Sequence, residues 1–164
     1  MLRLITLFIV LALPATAQNS VVTAHLPGAQ ERGAATYRYL GFAVYDARLF
    51  TPGGAALNWS TDMALELKYL RNLTRNDIVQ ATVVEFERNG GALPVEDQLN
   101  TCFADVSKGD RFMAVSKGAN TIGFWLNGRK TCTLSHPNIR KRFMGIWLGE
   151  NTRSRRFTQA LSGQ

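Results

Sequence analysis

From Thr36 to Phe50 the chain alternates with a period of two and is substantially apolar on both faces. One face carries Tyr37, Tyr39, Gly41, Ala43, Tyr45, Ala47 and Leu49. The other carries Arg38, Leu40, Phe42, Val44, Asp46, Arg48 and Phe50. Such a pattern suits a strand, or a hairpin broken near Gly41, in the middle of a covered sheet. Thr51-Pro52-Gly53-Gly54 ends it with turn chemistry.

The alternation returns from Met63 to Leu70, and then the period changes. Thr74 is a candidate N-cap with Asp77 three residues on, near the positive end of a helix. Ile78, Val79, Thr82, Val83 and Phe86 follow on one helical face, and Asn89-Gly90-Gly91 stops the helix. A shorter helix is expected from about Pro94 to Ala104, with Pro94 in its first turn. Asp110–Lys117 and Thr121–Leu126 read as strands. Asn127-Gly128 predicts a hairpin, because both residues tolerate φ > 0, and the returning strand runs from Arg129 to Leu134. Pro137 opens a helix with Ile139, Phe143, Ile146 and Trp147 on one face and Gly149 at its end. A last short helix passes through Phe157, Ala160 and Leu161. Strands, two helices, a meander of strands and then helices describe the α+β class, an antiparallel sheet covered by helices.

The N-terminus reads as an export signal. Arg3 precedes an apolar run from Leu4 to Leu13, Pro14 breaks it, and Ala15-Thr16-Ala17 supplies small residues for cleavage. A membrane-spanning helix needs about 20 apolar residues, so the run is too short to be one. Residues 1–17 are therefore expected to be a signal peptide and residues 18–164 a single domain, placed in the periplasm or secreted. That domain carries eighteen Lys and Arg against twelve Asp and Glu. A basic balance can mark nucleic acid or an anionic membrane as partner. Here Arg140-Lys141-Arg142, Arg153, Arg155 and Arg156 are interleaved with apolar residues, the pattern of solvated helix faces, and no nucleic-acid partner is expected.

Cys102 and Cys132 permit a disulfide in an exported protein. The competing reading is two free buried thiols that pack as small apolar side chains. His25 and His136 share no ligand spacing with them, so no metal is expected, and no cofactor. Neither a glycine-rich phosphate loop nor a G-x-S-x-G elbow occurs.

Six segments occur in one order: Tyr37–Phe50, Leu67–Arg71, Glu85–Asn89, Phe103–Asp110, Leu126–Gly128 and Gly145–Gly149. Together they resemble the bacterial branch of the chalcone isomerase-like family, and the likeness runs from about Gly33 to Leu161. The resemblance implies an open-faced β-sandwich, an antiparallel sheet with helices packed on one face. It also implies an apolar cleft between sheet and helices, with an arginine and hydroxyl groups inside. The family includes plant enzymes that close a flavanone ring by intramolecular conjugate addition, and non-catalytic members that bind fatty acids. Both face the same problem: an anion entering an apolar cleft loses its hydration, and a guanidinium restores the lost electrostatics.

The enzymes' catalytic residues transfer poorly. Their arginine falls on Tyr37, with Arg38 the nearest arginine, and their strand threonine falls on Tyr45. Their helical tyrosine and asparagine fall near Thr74 and Ala81. The resemblance therefore implies a binder of an apolar or fatty-acid-like molecule, with Tyr37, Arg38, Tyr45 and Tyr69 as lining or anchoring residues. Two alternatives stand beside it. One is an isomerase of the intramolecular lyase type, stabilising an oxyanion with Arg38 and tyrosine hydroxyls. The other is a cell-envelope protein that lays its basic C-terminal helices on an anionic surface.

Overall fold

The computed structural model of the chain describes residues 19–164, so the expected signal peptide lies outside the described residues. The alternating stretch is a hairpin, β1 (Ala29–Tyr39) and β2 (Phe42–Pro52), broken at Leu40-Gly41. β3 (Ala64–Tyr69), β4 (Arg111–Ser116), β5 (Thr121–Leu126) and β6 (Arg129–Ser135) complete the sheet. Its six strands lie in chain order and every neighbouring pair is antiparallel. Four helices follow the expected pattern: α2 (Arg75–Arg88), α3 (Glu96–Cys102), α4 (Ile139–Leu148) and α5 (Arg155–Leu161). The fold is thus the α+β open-faced sheet that the resemblance implied. Among the described residues no helix is long and apolar enough to cross a membrane.

The main core lies between one face of the sheet and these four helices. Leu49, Leu65, Leu67, Phe112, Phe124 and Leu134 meet Val79, Phe86, Leu99, Phe143 and Met144 there. Alternation explains the sheet's contribution, since residues two apart on a strand share a face. The other face is polar along Glu31, Arg48, Glu66 and Arg111, where buried Glu66 is flanked by Arg48 at 3.4 Å and Arg111 at 2.8 Å. Part of it is covered by α1 (Asn19–His25), an element the sequence reading did not foresee. Val22 and Leu26 pack there on Phe50, Ala64, Met113 and Val115, and His25 stacks on Trp125 at 4.2 Å. Two apolar positions one turn apart make too short a stripe to announce a helix; the sheet beneath them supplies the partner.

Local signals set the boundaries. Thr74 caps α2 in a reciprocal box: its Oγ1 accepts from the Asp77 N–H, and the Asp77 carboxylate accepts from the Thr74 N–H. Asn127 and Gly128 both have positive φ in the β5–β6 turn. Three expectations need correction. Pro94 stands ahead of α3, whose N-cap is Val95, rather than in its first turn. β1 is an edge strand, so the hairpin is not in the middle of the sheet. The second face of the hairpin is also not covered throughout, for Phe50 lies under α1 while Leu40 in the turn is open to solvent; the bulge at Val44 moves Phe42 off that face to pair with Tyr39, and it too is exposed.

The basic C-terminal segments differ as well from the solvated faces expected. Arg140 is buried and donates to Asp62 Oδ1 at 3.1 Å and to the Trp59 carbonyl at 2.6 Å. Arg142 donates to the carbonyls of Phe86 and Gly91. These arginines bond backbone carbonyls of loops and of the last turn of α2, whereas Lys141, Arg155 and Arg156 remain exposed.

Cys102 and Cys132 are joined in a disulfide, with Cα atoms 5.0 Å apart. It ties the C-terminal end of α3 to β6, a juxtaposition created by the sheet order and invisible in the spacing of the two residues.

Candidate functional site

Three adjacent strands each present a tyrosine at paired positions, Tyr37 opposite Tyr45 and Tyr45 opposite Tyr69. Pairing across antiparallel strands puts side chains of one face close together. The Tyr37 and Tyr45 rings stack with centroids 5.0 Å apart, and Tyr69 meets Tyr45 edge-on at 6.3 Å. This rank forms the floor of a cleft of about 530 Å³ that opens between the hairpin, α2 and the loop joining α4 to α5. The register slips by one residue between Tyr37 and Arg38, leaving Val44 as an extra residue on β2. The bulge lets consecutive Val44 and Tyr45 both line the cleft.

The walls are mainly apolar. Leu67 and Leu73 continue the floor, Ile78 and Ala81 come from α2, and Ile146 comes from α4. Phe157 of α5 sets its ring edge-on against Tyr37 at 5.8 Å and Tyr45 at 6.5 Å. Trp147 donates its Nε1–H to Tyr45 Oη at 2.8 Å, which leaves the phenol's own hydrogen available. Burial pushes the Tyr45 and Tyr69 phenols far above their ordinary range; the Trp147 hydrogen bond opposes this only in part at Tyr45. Burial also raises Tyr37, against the pull of the nearby Arg153 charge. All three hydroxyls are therefore donors at neutral pH.

One end of the cleft is charged. Glu85, buried on the inner side of α2, is bonded by Arg88 one turn on and by Arg153 from the α4–α5 loop. Arg153 uses Nε for this contact, and its two terminal nitrogens make no hydrogen bond among the described residues. Glu85 holds the Arg153 guanidinium more firmly protonated. Arg88 also donates to the Asn151 carbonyl, so the loop is fastened to α2 at two points.

The structure thus brings Tyr37, Tyr45 and Tyr69 together and leaves Arg38 out. Arg38 points to the opposite face of β1 from Tyr37, is exposed, and donates to the Gly41 carbonyl at 3.3 Å. The arginines that line the cleft are Arg71 and Arg153. Sequence reasoning also missed Glu85, Trp147 and Phe157 as site residues. One signal was available for Glu85, which occupies a core-facing position beside Thr82 and Phe86 on α2; a carboxylate in such a stripe implies a buried partner. None existed for Arg153, which reaches Glu85 across 68 positions of chain.

Residues 18–163 match the family described as chalcone isomerase-like, and the chain belongs to that family. Among solved structures, it is similar to the crystal structure of a fatty-acid binding protein from Arabidopsis thaliana. The identity is 11%, 84% of this chain and 88% of that chain are covered, and the TM-score is 0.65. At that identity the likeness is one of fold. No curated protein matches the chain.

Proposed function

We propose that the protein is an exported, non-catalytic binder of an apolar small molecule with an anionic head, a fatty acid being the simplest candidate. The observation that carries the reading is the cleft: about 530 Å³, apolar along its walls, with three phenol donors on its floor and a guanidinium at one end. Its volume falls within the range of small-molecule sites, about 300–1,000 Å³, and a few polar groups in an apolar pocket are their usual make-up. The tail would lie along Leu67, Leu73, Ile78 and Ile146. The carboxylate would take hydrogen bonds from Tyr37 and Tyr45 and from the two terminal nitrogens of Arg153, which suit a bidentate contact.

Other observations support binding over catalysis. The positions where the family's enzymes have a tyrosine and an asparagine are near Thr74, whose side chain is engaged in the cap of α2, and Ala81, a methyl group on the wall. Both carboxylate oxygens of Glu85 are engaged, one by Arg88 and the other by Arg153. Export to the periplasm or the medium is supported by the pattern of residues 1–17 and by the Cys102–Cys132 disulfide, which suits an oxidising compartment.

Native mass spectrometry of protein purified from an exporting host, followed by solvent extraction, tests the reading. A near-stoichiometric fatty acid or other apolar anion is the expected result. R153Q and Y45F should each weaken binding of added fatty acid about tenfold or more, as expected for losing a hydrogen bond to a charged group. A clean apo mass, together with no shift in melting temperature on fatty-acid titration, sinks the reading.

A further inference from the structure

The large apolar side chains that stand open to solvent among the described residues are gathered in one place. Tyr39 is 54%, Leu40 80%, Phe42 69% and Val84 46% exposed. Tyr39, Leu40 and Phe42 form the tip of the β1–β2 hairpin, while Tyr39 and Val84 also line the cleft. Two of the four thus belong to the cleft mouth, and the other two continue from Tyr39 onto the hairpin tip beside it. Single exposed apolar residues need no explanation, but a cluster at a site does.

The tip projects. Pairing between β2 and β3 ends at Tyr45–Tyr69, with one further bond from the Leu70 N–H to the Val44 carbonyl at 2.9 Å. Residues 38–43 pair only with one another, so the turn stands about 10 Å beyond the neighbouring strand.

Its turn residues are unusual too. Leu40 and Gly41 have φ of 49° and 85°, and Asn127 and Gly128 in the β5–β6 turn have 50° and 81°. The same kind of turn is thus made once with Asn-Gly, the favoured pair, and once with a leucine in the left-handed region where asparagine, aspartate or glycine is preferred. Turn chemistry does not select that leucine, and neither does packing, since it is the most exposed of the four.

We infer that this hairpin tip is a lipid-docking surface, which seats the cleft mouth on an anionic bilayer. Charge and shape favour lipid over a protein partner. Arg38 stands on the hairpin and Arg71 on the segment beside it, both exposed, and neither has an acidic partner among the described residues. Asp77, an exposed carboxylate that lines the cleft, is occupied by the cap at Thr74. A narrow projecting tip offers far less than the roughly 800 Å² per side of a stable protein interface. Aromatic and aliphatic side chains flanked by arginines are what the headgroup region accommodates. The inference deepens the binding reading, on which it rests for the ligand's source: an apolar anion would pass between bilayer and cleft without crossing water.

Flotation of the chain beginning at Gln18 with phosphatidylglycerol–phosphatidylethanolamine vesicles, against phosphatidylcholine vesicles, tests the surface. The protein should float with the anionic vesicles. L40D/F42D should lose at least about tenfold in partitioning. R38Q/R71Q should lose about fivefold per charge, with the difference from wild type shrinking as salt rises. Circular dichroism melts establish that the variants fold. Leu40 and Phe42 do not line the cleft, so L40D/F42D should keep wild-type affinity for soluble decanoate.

Wild-type protein that does not float, or L40D/F42D that floats equally well, overturns the inference and leaves the cleft reading standing. A wild-type dimer in sedimentation velocity that L40D/F42D converts to monomer assigns the tip to self-association and also overturns it. Flotation lost in L40D/F42D while decanoate binds no variant supports the docking surface and sinks the ligand reading.

Discussion

Replacing Gly33 with alanine places a methyl group 2.5 Å from the Ala160 carbonyl oxygen, 2.6 Å from that of Leu161 and 2.9 Å from the Gly163 nitrogen. All three are backbone atoms at the end of α5, so no side chain can turn aside and the helix end must move by roughly 1 Å to restore ordinary contact. The neighbouring Arg32 fastens that helix end to β1. Its Nε donates to the Ser162 carbonyl at 2.9 Å and its Nη2 to that of Gly163 at 3.2 Å. Overpacking of this kind costs about 1–3 kcal/mol, and weakening the Arg32 bonds adds about 1 kcal/mol. G33A should therefore lose about 2–4 kcal/mol in urea unfolding with little change in m-value, and melt several degrees lower. Because α5 carries Phe157 onto Tyr37 and Tyr45, the same variant should bind cleft ligands more weakly. G145A is the matched control: Gly145 is buried in α4, yet its added Cβ would have nothing within 4 Å. There the better helix propensity of alanine should leave stability unchanged or raise it by up to about 1 kcal/mol. G33A within about 0.5 kcal/mol of wild type would refute the close approach of α5 to β1.

Removing the disulfide as C102A/C132A should cost about 3–4 kcal/mol from the 30-residue separation, read as a lower urea midpoint; an unchanged midpoint contradicts a bridge that constrains the unfolded chain. T74A should lose about 1 kcal/mol by opening the capping box of α2, measured by thermal melting against wild type. Asp77 is held below the ordinary carboxylate range by hydrogen bonds from the Thr74 side chain and backbone, and Asp110 by the Ser107 N–H and the Asn127 side chain. Both stabilise the fold above the unfolded carboxylate pKa, and that contribution disappears as pH falls through their lowered values. Urea midpoints should therefore drop below about pH 4. D77N should flatten part of that acid limb, whereas an identical slope in D77N excludes Asp77 from it.

Where a few neighbouring residues carry the physics, the sequence was enough. Thr74 and Asp77 cap a helix through bonds three residues apart, and Asn127-Gly128 turns a hairpin through its own backbone preferences. Alternation between Thr36 and Phe50 announced the strands, and the order of strands and helices announced the α+β class. The six ordered segments carry the resemblance to the family, and with it the expectation of a cleft. Strand alternation also put Tyr37 and Tyr45 on one face and Arg38 on the other.

What the sequence left open depends on register and on distance in space. The rank of Tyr37, Tyr45 and Tyr69 exists because two strand pairings come into line, and a slip of one residue would turn a strand's side chains to the opposite face. Arg140 and Arg153 read as solvated because only the folded chain sets Asp62 and Glu85 against them. The exposed tip at Leu40 and Phe42 read as the covered face of a sheet, since alternation records that a face is apolar and not what lies over it. Local propensity is written residue by residue, but burial is a property of whichever distant segment arrives, and the tertiary structure alone decides that.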